Sequence, residues 1–396
     1  MANVLIALYG IYVFAKILLE IKEVLFIKNE FYKGPVLLNF EDFKTAAIYS
    51  IYKHTIEIFN SLISLFLVVF WLSGGLFIVN YLLYDGTLVS ELYILLAFFT
   101  INYLLTLPIH IWEKHIDKKF GFNVAPWKIF FVDELKKIIL FLVFGGAFFA
   151  GLIYFIENFE HWWLIGFLFT FGVVVLINIL YPFFASWFNK FEPLKNDKLK
   201  ESIEEMMEKV GFKSSGIYVM DASKRDTRLN AYFAGFGKTK RVVLFDTLLN
   251  KLNDKEILAV LGHELGHFKH KDLLKNISVL GIVLFIIFFI FGHLSDSLFE
   301  ALKIPKNGVN IIILALLFSD MIIFLMQPVV NLISRHNEFE ADKMGAELVS
   351  KKDLTSALKK LVKENKYFPK VSKLYSFIYY SHPPILERLE KLKERE

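Results

Sequence analysis

Seven stretches of this chain are apolar and long enough to cross a bilayer, at roughly 3–26, 60–83, 91–112, 137–156, 162–184, 273–294 and 308–333. A bilayer core takes about 20 such residues per helix, and inside it every backbone N–H and C=O must be satisfied within the segment. The fold class follows: an all-α polytopic membrane protein. Composition agrees, with 55% hydrophobic residues, 43 phenylalanines and a mean hydropathy of +0.48 over 396 residues. The first stretch is the weakest, broken by Lys16, Glu20 and Lys22. Its opening lacks a basic lead and a small-residue cleavage site, so it is expected to stay as a span.

The loops set an orientation. "YDGTLVSE" and "ENFEH", after the second and fourth spans, hold no Lys or Arg, whereas the alternate loops carry Lys28, Lys33, Lys44 and Lys53, then Lys114, Lys118, Lys119 and Lys128. Segments 185–272 and 334–396 are also lysine-rich, and Lys303 and Lys306 are the mild exception. The positive-inside tendency puts these lysine-rich parts in the cytoplasm and the N-terminus outside. Four regions are expected: spans one to five (1–184), a long polar segment (185–272), spans six and seven (273–333) and a C-terminal part (334–396). Within 185–272, "IYVM", "NAYFAGF" and "RVVLF" read as short strands, the last two parted by the turn signal "GFGKTKR", so a small sheet is expected. The net charge of +5 is modest and gives no reason to invoke nucleic acid. With no cysteine, disulfides and thiolate chemistry are excluded, and any metal must sit on His, Asp or Glu.

One cluster carries chemistry, "LAVLGHELGHFKHKDLLKN", from Leu258 to Asn276. Asn253 with Glu256 forms a capping-box pattern, and Leu258, Leu261, Leu265 and Phe268 make one apolar stripe. His263 and His267 stand one turn apart on the other face, where both imidazoles reach one ion. Glu264 lies about 100° round the helix, placed to act as a general base. Leu273 stands where a third histidine of an extended motif would fall, and His270 is two turns from His263. The cluster left to supply a ligand is "SRHNEFEAD", 334–342, in which Glu338 and Asp342 share a helix face and Glu340 points elsewhere. A solvated acidic helix start is the plain alternative for that segment.

"HELGHFKH", "SRHNEFEAD", "NAYFAGFGKTKRVVLFDTLL" and "SHPPILERLEKLK", with "EKHIDKKFGFN" and "YPFFASWFNKFEPL", together resemble the type I CAAX prenyl proteases, integral-membrane zinc metallopeptidases. The resemblance runs over nearly the whole chain. It implies one zinc ion on His263, His267 and Glu338, Glu264 as the base, and Asp342 orienting a ligand. It implies His382 stabilising the oxyanion, Asn230 holding an extended substrate, and Arg388 pairing with a carboxylate near the site or touching substrate. It also implies seven helices around an interior chamber, capped by a cytoplasmic zinc-protease domain for which 185–272 is the protease segment and 334–396 brings the third zinc ligand. The partners implied are the bilayer and a prenylated or otherwise membrane-tethered peptide, cut to release its last three residues. A membrane quality-control protease is the second expectation. The third is a channel or scaffold with structural zinc, which Glu264 argues against because a structural site needs no base. Two departures bear on substrate choice: "DTRL" stands before Asn230 where the family has a small, polar run, and the first span lacks an Arg-Gln pair. His54, His110, His115, His161, His293 and His336 receive no role.

Overall fold

The computed structural model describes residues 1–235 and 240–393, with Pro182 described by its backbone alone. Among the described residues seven helices are long and apolar enough to cross a membrane: Ala2–Tyr32, Phe40–Leu83, Leu88–Lys119, Trp127–Asn158, Trp162–Ala185, Asp272–Gly292 and Gly308–Leu348. They coincide with the seven apolar stretches, and several run well beyond them. Asn39, Thr87 and Asn307 start three of these helices, each side-chain oxygen accepting a backbone N–H of the first turn. The second helix swells into a π turn at Trp71–Gly75, where Gly74 takes φ 146°, a conformation that side chains resist.

The span of the seventh helix is 44% buried, against 6% for the fifth and the sixth. The seventh is therefore a central post within a loosely packed ring whose members expose two faces. Lys16 and Glu57 are half-buried and Asp320 is exposed within the spanning helices, and charges in hydrocarbon are costly, so these side chains belong on the side turned away from lipid, as the expected interior chamber requires. The acids that weaken the first span as an apolar run have partners from far along the chain. Glu20 is 2% exposed and meets His54 Nδ1 at 2.6 Å and the Tyr375 hydroxyl at 3.0 Å. Glu23, 1% exposed, accepts from the backbone N–H and the hydroxyl of Ser372.

The protease segment carries a four-stranded sheet of β1 (Phe191–Pro193), β2 (Ile217–Met220), β3 (Ala231–Ala234) and β4 (Arg241–Phe245), in the order β1-β2-β4-β3. β2 runs parallel to β4, while β3 pairs antiparallel with β4, Ala231 facing Leu244. Three of these strands are the runs read from sequence; residues 236–239 of "GFGKTKR" lie outside the described residues. β1 was not foreseen, since three residues ending in proline carry no alternation to detect. β3 is an edge strand, so among the described residues one side of its backbone pairs with no other strand. One apolar core joins this sheet to two helices and to the C-terminal part, bringing Leu199, Ile203, Leu244, Leu261, Leu265 and Ala357 together at 2% exposure or less.

Candidate metal centre and active site

The motif helix spans Asp254–Lys269, and its capping box is formed: Asn253 Oδ1 accepts the Glu256 N–H at 3.0 Å and Glu256 Oε2 accepts the Asn253 N–H at 2.9 Å. Leu261 and Leu265 are fully buried, with Leu258 and Phe268 partly so, and this anchors the apolar stripe in the core. The other face lies on the seventh helix at a distance only small residues permit. A Cβ on Gly266 would stand 2.7 Å from Cα of Ala341, and one on Gly345 would stand 2.9 Å from the His263 backbone nitrogen. This close approach carries Glu338 to the histidines.

Nε2 of His263 and Nε2 of His267 are 3.2 Å apart. Glu338 Oε1 lies 3.3 Å from the latter, and Oε2 lies 3.5 Å from the former. Tetrahedral coordination with bonds of about 2.0–2.1 Å puts ligand atoms about 3.3–3.4 Å apart, so these donors are set at the separations zinc requires. Glu338 is 4% exposed, and its Oε2 has no hydrogen-bond partner among the described residues. A buried carboxylate oxygen left without a donor is costly in a protein alone and satisfied by a cation. The site fits a metal ion.

Both imidazoles are held from behind. His263 Nδ1 lies 2.9 Å from Asp342 Oδ1, off the line of a good hydrogen bond, and His267 Nδ1 lies 2.9 Å from Asp272 Oδ2. A carboxylate on Nδ1 keeps the proton there and leaves the Nε2 lone pair for a metal. Arg388, 11% exposed at its side chain, forks onto Asp342 at 2.6 and 2.7 Å and stands 3.7 Å from Glu338. Of the two roles weighed for Arg388, the geometry presents the carboxylate pairing. Asp272, 3% exposed, is further fixed by Lys275 Nζ at 2.7 Å. Sequence reading missed Asp272. Its signal was an acid opening a span with a lysine three residues on, but the turn that swings it back depends on Lys271 adopting φ 58°. Asp272→Ala is expected to weaken metal binding about 10–100-fold, read from the chelator concentration that strips the ion, with helix content unchanged.

Glu264 is partly buried beside this cluster. Burial pushes its carboxyl above the ordinary range, while His263 and His267 draw it back. His382 Nε2 lies 3.1 Å from Glu338 Oε1, with its side chain 63% exposed, so it stands at the open side of the cluster. Its turn is tied down on two sides. Arg335, three residues before Glu338, donates to the carbonyls of Tyr380 at 2.7 Å and Ser376 at 3.0 Å, and Glu23 holds Ser372 at the head of the helix Lys373–Tyr379. These two residues were also missed: the partners of Arg335 are backbone carbonyls that carry no sequence identity, and Ser372, the partner of Glu23, lies 349 residues along the chain. His270 caps the motif helix and Glu340 lies outside the cluster.

Asn230 stands at the head of β3, its side-chain oxygen taken by the N–H of Ala231. The "DTRL" segment docks the protease segment onto the membrane helices. Arg228 reaches Tyr49 Oη at 2.8 Å and Asp117 at 3.1 Å and lies on Phe122 with its guanidinium carbon 4.2 Å from the ring centre, while Arg225 Nε holds Asp133 at 2.9 Å.

Comparison with known proteins falls in line with this geometry. Residues 193–396 match the model of peptidase family M48, and residues 36–190 match that of the CAAX prenyl protease N-terminal region with five membrane helices. A CAAX prenyl protease 1 homolog of Taenia solium is 36% identical over 312 residues, covering 69% of this chain and 65% of that one. The Mus musculus homolog is 36% identical over 326 residues (70% and 68%), and CAAX prenyl protease 1 of Saccharomyces cerevisiae is 34% identical over 317 (74% and 70%). The chain thus spans about two thirds of the length of these relatives. The crystal structure of S. mikatae Ste24p superposes with a TM-score of 0.91 at 29% identity, covering 99% of both chains. Fold and site together define a multi-pass membrane metallopeptidase. The chain belongs to peptidase family M48, on the branch that carries the CAAX prenyl protease membrane region.

Proposed function

We propose that the protein is a zinc-dependent endopeptidase that removes the C-terminal tripeptide from prenylated Cys-aliphatic-aliphatic-X peptides, with one zinc ion per chain on His263, His267 and Glu338. The observation that carries this reading is the coincidence, at one point, of three metal donors at tetrahedral spacing and a base on the residue after His263. When bound, zinc supplies Lewis-acid polarisation of the scissile carbonyl and of the attacking water. Glu264 accepts the proton of that water and returns it to the leaving amine. His382 turns its exposed ring toward the carbonyl and donates an N–H to the developing oxyanion. The substrate lies along β3 as an added strand, its backbone paired at the open edge and steadied by Asn230, while Asp342 and Arg388 hold His263 in place.

The active site faces the cytoplasm in this reading, with 185–272 and 334–396 working as one protease unit. The lysine asymmetry of the loops supports it. A cysteine placed at exposed Lys213 in this cysteine-free chain should be labelled only from the cytoplasmic side; labelling from outside alone would reverse the orientation.

A lipid tail concentrates the substrate at the enzyme, since each buried methylene is worth about 0.8 kcal/mol. A zinc ion held by these donors would polarise any peptide carbonyl alike, with no preference for prenyl-cysteine. The decisive assay therefore compares a farnesylated C-terminal peptide, its unprenylated twin and a misfolded membrane protein, all in detergent with and without a zinc chelator. Chelator-sensitive cleavage of the farnesylated peptide, well above its twin, is expected. Cleavage of the misfolded protein alone would replace this reading with membrane quality control.

A further inference from the structure

A pocket of about 410 Å³ opens between the second and third helices and the loop that follows the helix Lys351–Glu364. Lys53, Arg228 and Lys366 line it together with the carboxylates of Glu113 and Asp117. Both carboxylates are already engaged, Glu113 by Lys53 and Asp117 by Arg228, which also pairs with Asp226. Lys366 is the lining cation that no carboxylate engages. Its ammonium lies 4.2 Å from the Phe122 ring centre and makes no hydrogen bond or ion pair with any described residue. The neighbouring Asn365 fixes its place: the side-chain oxygen takes the Leu229 N–H at 2.9 Å, and the side-chain nitrogen gives to the Leu229 carbonyl at 3.3 Å. Lys366 is thereby locked beside the residue that precedes Asn230, at the head of the edge strand.

We propose that this pocket binds the free C-terminal α-carboxylate of the peptide substrate, with Lys366 as its cation and Arg228 as a wall. The inference rests on the proposed pairing of substrate with β3. β3 already runs antiparallel to β4, and antiparallel ladders are the more stable kind. A peptide added antiparallel to β3 has its C-terminal end at the Asn230 end of the strand. With the scissile bond opposite Asn230 and Ala231, the third residue beyond it lies opposite Arg228. The three released residues span about 10 Å, so their terminal carboxylate arrives at the pocket. One unpaired ammonium meets one carboxylate, and a chain ending further on would carry its charge past the site. The "DTRL" departure thus bears on where a substrate must end.

The test uses the full-length zinc-loaded protein in phospholipid-free detergent, where no anionic lipid headgroup competes as the source of the charge. Two farnesylated peptides of one sequence are compared, one ending in a free acid and one in a carboxamide. A charge-assisted hydrogen bond is worth enough to give the acid about a ten-fold advantage in kcat/KM, carried by KM. Lys366→Met should abolish that preference and Lys366→Arg should keep it. Because the preference is a ratio measured within each variant, a general loss of folded protein does not mimic the result. Equal cleavage of acid and amide by the parent protein, or a preference that survives in Lys366→Met, overturns the pocket and leaves the peptidase reading standing. Failure to cut either peptide removes the substrate reading and the pocket with it.

Discussion

Glu264→Gln is expected to keep its metal and lose about 10²–10⁴-fold in kcat, the range a general base contributes. The two side chains have nearly the same shape, and Glu264 is not among the three donors that converge, so metal content per chain should match the parent. What disappears is the carboxylate that takes the proton from water. Glutamine cannot accept it, and among the described residues the other carboxylates of the cluster are engaged: Glu338 is a proposed ligand, while Asp342 and Asp272 back the histidines. Burial raises the Glu264 carboxyl, which strengthens it as a base. The measurement pairs elemental analysis with single-turnover cleavage of a farnesylated peptide. Undiminished turnover in a fully metallated Glu264→Gln would remove the proposed mechanism.

The second large effect concerns the metal itself. Glu338→Ala should leave well under one ion per chain after dialysis, because it deletes one of three protein donors. Losing even a residue that only backs a ligand costs about 10–100-fold in affinity, so losing a ligand exceeds that. The same change strips His382 and Arg388 of a carboxylate they face at 3.1 and 3.7 Å, which adds local repulsion among cationic groups. Glu340→Ala is the matched control two residues along, where metal should stay bound. The reverse outcome would mean that the seventh helix presents a different register to the histidines.

Much of this protein is local and therefore legible. Twenty apolar residues in a row must cross a membrane as a helix whatever surrounds them, so the spans could be read from the chain alone. The capping box at Asn253 and Glu256 joins groups three residues apart, and the His263–His267 spacing is one helical turn, so both follow from helix geometry. The search for a third ligand pointed to the segment holding Glu338, and the resemblance to a known family gave Glu338 its role and added His382; they lie 75 and 119 residues beyond His263 in the chain.

Tertiary structure decided the rest. Gly266 and Gly345 let two backbones approach closely enough for Glu338 to reach both imidazoles, a distance no spacing in the sequence encodes. Asp272 reaches His267 only because the chain reverses at Lys271, and a lysine in the left-handed region carries no signature there. Glu20 and Glu23 weaken the first helix as an apolar run, yet their partners His54, Ser372 and Tyr375 come from the second helix and the C-terminal segment. The physical division is between short and long range. Periodicity, capping and hydrophobic length act within a few residues and are written along the chain. The cost of burying an acid or the gain from pairing it depends on which distant group folding brings alongside.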